Sequence, residues 1–357
     1  MNMKPAYLIL ENGMVFCGKS FGYEAETSGE VVFTTAMTGY LETLTDQGYY
    51  GQLVVQTFPS IGNYGVISQD LSSKGTAPAA YIVRDICQEP SNFRCEGALD
   101  VFLNENKIVG LYDIDTRKLT RALTRDGAMN AKITYALPED IEAVKAELAA
   151  LKAPNAVAAV TCREAATVTP ENAKHRTVVW DFGALDDIAA QLTARGSEVI
   201  TVPAGTTAEE ILAYDPDGVL LTNGPADPMA NPAIIAEIAK LAEKKIPMFG
   251  ICLGHLMLAV SQGAVSEKMG HGHRGGQPAV RVSDKRVFIT SQNHGYALKA
   301  DSLPEGIDVT FKNGNDGTVE GVEYKNIPAF SVQFRPGSAG GPSATDFLYD
   351  KFIGMMA

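Results

Sequence analysis

The stretch Ile246-Pro247-Met248-Phe249-Gly250-Ile251-Cys252-Leu253-Gly254-His255-Leu256 constrains the fold more than any other part of the chain. A short apolar run meets Gly-x-Cys-x-Gly, and a helical pattern of Leu256, Met257, Ala259 and Val260 follows. This is the layout of a nucleophile elbow, a sharp strand-to-helix turn flanked by glycines because a side chain at either flank would clash. The turn lifts its central residue to the carboxyl edge of a sheet. The helix behind it directs free N–H groups and its positive end at the thiol. The plainer alternative is a buried cysteine packed in an ordinary strand, since free cysteine behaves as a small hydrophobe.

Around this turn the chain changes period. From Thr177 onward, strand-like runs (177–180, 199–202, 219–221, the elbow strand, 287–291 and 330–332) alternate with helical ones (187–193, 207–213, 232–243, the elbow helix and 344–352). Such alternation predicts a mostly parallel sheet with helices on both faces. Ligands of such sheets sit at the carboxyl ends of the strands. The loops that matter there are Thr222–Pro228, the Cys252 elbow, Ser291–Tyr296 and Gln333–Gly337.

Residues 1–137 read differently. Short β-like runs at 6–11, 14–17, 30–34 and 53–56 are separated by turn signals such as Asn12-Gly13, giving a β-rich α/β domain. Asp115 or Thr116 can cap a helix that buries Leu119 and Leu123. Residues 138–175, rich in Ala and Glu and holding one short helix at 140–151, read as a tether, with the second domain spanning 176–357.

Bulk properties exclude some functions. A net charge of −12 argues against a nucleic-acid or anionic-membrane surface. No apolar run approaches the ~20 residues of a membrane span, and the first strand is too short to be a signal sequence. The five cysteines have no paired spacing, so neither a disulfide frame nor a zinc site is expected, and a reducing cytoplasm fits.

The segments Met37-Thr38-Gly39-Tyr40, Ile61-Gly62-Asn63 and Asp113–Arg121 in the first half resemble the small subunit of carbamoyl-phosphate synthetase. So do Asn223-Gly224-Pro225, Gly250–His255, Ser291–Gly295 and Phe330–Phe334 in the second. The resemblance covers nearly the whole chain. It implies a class I glutamine amidotransferase domain that hydrolyses glutamine, and a large ATP-using partner subunit that receives the ammonia. No cofactor is expected on this chain, ATP and Mg²⁺ being expected on the large subunit. The product would serve pyrimidine or arginine synthesis.

The resemblance also implies a triad: Cys252 as nucleophile, a histidine base on a later loop and a glutamate two residues on. The N–H groups of Gly224 and Leu253 match the family's oxyanion hole. The substrate-contacting positions fall on Gly48, Gly224, Ala226, Leu253, Leu256, Asn293, Gly295 and Tyr296. Here the chain departs from the pattern. Where the family reads Gln-Phe-His-Pro-Glu, this sequence reads Gln333-Phe334-Arg335-Pro336-Gly337. Arg335 replaces the base with a group that keeps its protons, and Gly337 removes the carboxylate.

The pocket has drifted too: Gly48 stands for a serine, Ala226 for a glycine and Leu256 for a glutamine. Gly276-Gln277-Pro278-Ala279 replaces Gly-Asn-His-Pro, and Leu185-Asp186-Asp187 stands where basic and amide residues are usual. Loss of a triad base costs about 10⁴-fold or more.

No other histidine takes the base's place by position. His255 is expected to be half-buried on the elbow helix, and His294 to lie in a glutamine-backbone contact loop. His271 and His273 fall in a flexible Gly-rich loop with no third metal ligand nearby in sequence. The expectation is therefore a synthetase small subunit or close paralogue with impaired glutaminase activity. Two alternatives stay open: an active glutaminase using a substitute base, and a cleft reused for anion or thiol chemistry. Arg335 beside Cys252 is expected to lower the thiol's pKa, giving a thiolate that cannot complete hydrolysis, and its guanidinium fork offers a place for an anion such as a carboxylate or phosphate.

Overall fold

The computed structural model describes residues 4–152, 155–337 and 343–356. They divide into two compact units, Met1–Pro154 and Asn155–Ala357. The N-terminal unit contains β1 (Pro5–Leu10), β2 (Val15–Gly22), β3 (Thr27–Thr34), β4 (Leu53–Gln56), β5 (Ser60–Ile61), β6 (Ala80–Ile82), β7 (Asp85–Ile86), β8 (Val109–Tyr112) and β9 (Met129–Thr134). Its helices are α1 (Tyr40–Thr45), α2 (Leu99–Glu105), α3 (Thr116–Asp126) and α4 (Ile141–Ala149).

Among the described residues the strands close into a barrel in the order β1-β2-β8-β6-β4-β3-β9. Closure removes every free edge, which would otherwise recruit other chains. Alternation sorts the strands' side chains: Leu53 and Val55 join one buried cluster with Leu8 and Leu111, while Val54 joins another with Tyr40 and Leu44. Asp115 caps α3 as expected, its side chain accepting from the Lys118 N–H at 2.8 Å. Leu119 and Leu123 are buried.

The stretch read as a tether contributes described elements to both units. Helix α4 packs Val144 and Leu148 against Ile9 of β1. The C-terminal unit takes α5 (Ala156–Val160) and β10 (Ala166–Val168), the latter an edge strand of its sheet.

The C-terminal unit continues with β11 (His175–Asp181), β12 (Ser197–Pro203), β13 (Gly218–Leu221), β14 (Met248–Ile251), β15 (Ser266–Arg281), β16 (Val287–Leu298), β17 (Ile307–Asn313), β18 (Val319–Tyr324) and β19 (Ala329–Val332). Its further helices are α6 (Asp187–Thr193), α7 (Ala208–Leu212), α8 (Pro232–Glu243), α9 (Leu253–Ser261) and α10 (Phe347–Gly354). One sheet runs β10-β12-β11-β13-β14-β19-β18-β16-β15-β17. Its centre, β12-β11-β13-β14-β19, is parallel. Both faces of that centre are covered. Trp180, Leu221 and Met248 pack with Leu256 and Met257 of α9, and Phe249 and Ile251 with Leu192 of α6 and Phe352 of α10. Phe249 stacks on Phe330 at 4.4 Å between centroids, and truncating so enclosed a ring costs about 3–5 kcal/mol.

The other half of the sheet is antiparallel and was not apparent in the alternation. Residues read as a Gly-rich flexible loop, 270–276, belong to the long strand β15, and residues 291–296 continue β16 rather than forming a loop. The pair is regular apart from a bulge between Lys268 and His273. No helix among the described residues is long and apolar enough to cross a membrane.

Candidate active site

Between β14 and α9, Cys252 holds φ 55° and ψ −103°, a conformation that costs a non-glycine residue of order 1–3 kcal/mol. The surroundings enforce it. A β-carbon on Gly250 would lie 2.8 Å from the Gly254 carbonyl oxygen, and one on Gly254 would run into the Leu221 carbonyl. Only glycine fits either flank, so the elbow expected from the sequence is formed.

The thiol is 2% exposed. Its hydrogen points at the Asn293 carbonyl, 3.5 Å away on β16, and the Gln333 Nε2 donates to the sulfur at 3.7 Å from beyond β19. The Cys252 N–H donates to the Val332 carbonyl at 2.9 Å. Gln333 was missed as a site residue. It is fully buried, and its Oε1 has no hydrogen-bond partner among the described residues.

The loop after β13 closes the other side. Thr222 accepts the Phe182 N–H on its hydroxyl at 2.8 Å and the Gly254 N–H on its carbonyl at 3.0 Å. Asn223 donates to the Gly183 carbonyl at 2.8 Å, which pins this loop to the one after β11. Gly224 is buried; a β-carbon there would meet the Phe182 carbonyl and lie 2.9 Å from Leu253 Cδ2. Gly224 and Leu253, the two expected oxyanion donors, are therefore neighbours, and the Leu253 N–H is one that a helix start leaves without an intrahelical acceptor.

The remaining expected contact positions differ in exposure. Leu256 is 2% exposed within the apolar core and offers no polar atom. Ala226 is exposed and left-handed at φ 78°. Asn293, Gly295 and Tyr296 follow one another on β16, with the Tyr296 carbonyl turned to His294. Gly48 lies in the N-terminal unit, where its N–H donates to Asp46 Oδ1 at 2.8 Å.

Arg335 forms a bridge with Ser291, donating its N–H to the Ser291 carbonyl at 3.0 Å, and is 7% exposed. Two residues on, Gly337 is left-handed at φ 62°, and a β-carbon there would collide with Asp346 Oδ1 and lie 3.4 Å from Gln191 Nε2. A side chain at 337 would therefore meet Asp346 first.

The histidines are engaged elsewhere. His255 is fully buried rather than half-buried, because the elbow helix lies against β19; its Nδ1 shares a hydrogen bond with the Ser331 hydroxyl at 2.8 Å. Burial pushes its pKa down to about 3. His294 has Nδ1 at 2.9 Å from the Tyr296 carbonyl and Nε2 at 3.0 Å from Gln292 Oε1. Burial, and then neighbouring His273, hold its pKa well below the usual range.

His273 lies between carboxylates, with Nε2 3.0 Å from Asp316 and Nδ1 3.3 Å from Glu320. Burial opposes charge on this ring, but Glu320 and Asp316 outweigh it and raise its pKa. His271 is exposed. The sequence reading found no third ligand near His273; the fold supplies His294 and Glu320 from neighbouring strands.

Comparison with known proteins places this geometry. Residues 8–133 match the family model "Carbamoyl-phosphate synthase small chain, CPSase domain", and residues 178–355 match "Glutamine amidotransferase class-I". The carbamoyl phosphate synthase small chain of Clostridium perfringens is 45% identical over 349 residues, covering 98% of each chain. That of Chlorobaculum tepidum is 44% identical over 358 residues, covering 99% of this chain and 98% of its own. A solved glutamine amidotransferase from Methylobacillus flagellatus is 12% identical, with TM-score 0.39 over 52% of this chain and 96% of that one. With a small-chain domain in its first half, an amidotransferase domain around the Cys252 elbow in its second, and relatives alike from end to end, the chain belongs to the carbamoyl-phosphate synthase small chain family.

Proposed function

We propose that this chain acts as the small subunit of a carbamoyl-phosphate synthase whose own glutamine-hydrolysing step is lost or strongly impaired. Attack of a thiol on a carboxamide needs an acceptor for the thiol proton and a donor for the departing ammonia. The Asn293 carbonyl beside Cys252 accepts a hydrogen bond but takes no proton, and a thiolate there would face an acceptor. Arg335 stands in the base's place and gives up no proton in the accessible pH range. The carrying observation is that neither expected position holds a group able to serve: Arg335 keeps its protons, and Gly337 has no side chain, the β-carbon direction there meeting Asp346 Oδ1.

The shell of the reaction persists. The strained elbow, the adjacent Gly224 and Leu253, and the Gln333 contact on the sulfur support a site that derives from amide cleavage. In the assembly we envisage, the large subunit carries ATP and Mg²⁺, free ammonia supplies nitrogen, and this chain contributes a docking and regulatory role through its N-terminal unit.

The deciding experiment is glutamine hydrolysis by the purified chain, alone and with the large subunit, beside Cys252→Ala. No turnover above that of Cys252→Ala in either state, together with a stable complex and ammonia-dependent synthesis, is the expected outcome. Glutaminase activity that Cys252→Ala abolishes would establish a substitute base instead.

A further inference from the structure

Three strands bring ligating atoms together beside Asn293 of β16. His273 on β15, His294 on β16 and Glu320 on β18 are all buried, and one ligating atom from each lies within 4.8 Å of the others. The orientation of each ring is set by its far nitrogen. His294 stands between two acceptors, the Tyr296 carbonyl at 2.9 Å from Nδ1 and Gln292 Oε1 at 3.0 Å from Nε2, so the neutral tautomer with its hydrogen on Nδ1 presents a lone pair at Nε2. His273 Nε2 faces Asp316 Oδ2 at 3.0 Å, which turns Nδ1 toward Glu320. Metal-binding imidazoles are held in this way, with one nitrogen donating to a carbonyl or carboxylate and the other facing the ion.

A polar mismatch marks the centre. A neutral His294 can donate to only one of the two acceptors beside it, and with its hydrogen on Nδ1 the Nε2 lone pair faces Gln292 Oε1 at 3.0 Å. Turning the amide over does not cure this. Its NH₂ donates to Glu320 Oε2 at 2.9 Å and to Thr290 Oγ1 at 3.1 Å, and the Thr290 hydroxyl gives its own hydrogen to the Gln277 carbonyl. A flipped amide would set its oxygen against the Glu320 carboxylate. The His273 ring stands edge-on to His294, with centroids 5.1 Å apart. A cation at His294 Nε2 relieves the mismatch without turning the amide over.

The spacing of one ligand pair also fits. Two ligands each 2.0–2.1 Å from a tetrahedral ion stand about 3.3–3.4 Å apart. His273 Nδ1 and Glu320 Oε1 are 3.3 Å apart. Asn313 Nδ2 is a rival neighbour, 3.3 Å from the same Nδ1, but it keeps its 2.9 Å bond to Glu320 Oε1 when Nδ1 turns to an ion.

We propose that His273 Nδ1, His294 Nε2 and Glu320 bind one divalent transition cation of zinc's class, with Gln292 Oε1 beside it and Asp316 holding His273. The ion would lock β15, β16 and β18 together and so fix the Asn293 carbonyl that touches Cys252.

The test uses the full chain purified without a metal-affinity tag, titrated with Zn²⁺ by calorimetry and with Co²⁺ by visible absorption. One equivalent of Zn²⁺ per chain and a Tm that rises with it are expected, both reversed by EDTA. Cys252→Ala should keep that equivalent; Glu320→Gln and His273→Asn should lose it. Asp316→Asn should weaken binding about 10–100-fold. Bound Co²⁺ should show d–d bands without a thiolate charge-transfer band, a readout from the unaltered chain should Glu320→Gln fail to fold. No uptake, uptake retained by Glu320→Gln and His273→Asn, or a thiolate band would each overturn the site.

Discussion

Asp346 sets a carboxylate oxygen in the space that a β-carbon on Gly337 would occupy. That oxygen is buried with no hydrogen-bond partner among the described residues, and Gly337 turns there in the left-handed region at φ 62°. The two features lock one another. A side chain at 337 needs both a backbone it dislikes and a volume already filled.

Gly337→Ala should therefore destabilise the chain by about 2 kcal/mol or more, from left-handed strain and the collision together. Asp346→Ala removes the collision and leaves the strain. In a urea-unfolding double-mutant cycle, the Gly337→Ala cost should shrink by at least ~1 kcal/mol in the Asp346→Ala background. Equal costs in the two backgrounds would show that the carboxylate does not close this position.

The same lock governs any attempt to rebuild the catalytic apparatus. Arg335→His combined with Gly337→Glu restores the residue types the resemblance implies, but the new β-carbon meets Asp346 Oδ1. Glutaminase activity of that double variant should stay within a few-fold of the unaltered chain. Adding Asp346→Ala should raise it at least ~10-fold further, since a triad needs its base oriented as well as present. Full activity in the double variant would mean the backbone at 337 relaxes freely.

Much of this site was legible from sequence because its signals are local. Gly250 and Gly254 flank Cys252 for a steric reason that five consecutive residues already carry. The parallel centre followed from alternating apolar runs. The barrel did not, since its closure pairs β1 with β9 and β3 with β4, a choice no local pattern encodes. The β15–β16 pair escaped because glycines at 270, 272, 275 and 276 and polar residues at 291–294 look like loop punctuation.

Gly272 is there for another reason: a β-carbon on it would lie 2.7 Å from Arg274 Nη1 and meet the His294 carbonyl. A signal for Glu320 was present. It shares the parity of Val322 and Tyr324, the buried side of β18, so a carboxylate there had to find partners.

Ala226 offers a simple stability measurement. It holds φ 78° in the loop after β13, and it is exposed, so its methyl group gains little from packing. Ala226→Gly relieves left-handed strain of about 1–2 kcal/mol, offset in part by the greater freedom of glycine in the unfolded chain. A net stabilisation of about 0.5–1 kcal/mol in denaturant unfolding is expected. Destabilisation would place this residue outside the left-handed region in solution.

His255 should make the C-terminal unit sensitive to mild acid. Burial holds the ring neutral in the folded chain, with a pKa pushed down to about 3, against about 6.5 for a free imidazole. Between these values the unfolded chain binds a proton that the folded chain refuses, so stability falls as pH drops below about 6.5, by roughly 1.4 kcal/mol per unit once well below it. Above about pH 7 the ring is neutral in both states and contributes no slope. From pH 7 to pH 5 this amounts to about 2 kcal/mol. His255→Gln carries no titrating group, and its amide can still meet the Ser331 hydroxyl that His255 Nδ1 reaches at 2.8 Å. The stability difference between the two chains, measured by urea unfolding across this range, should move in favour of His255→Gln as pH falls. A difference independent of pH would mean that water reaches the ring and that its burial in the elbow helix is incomplete.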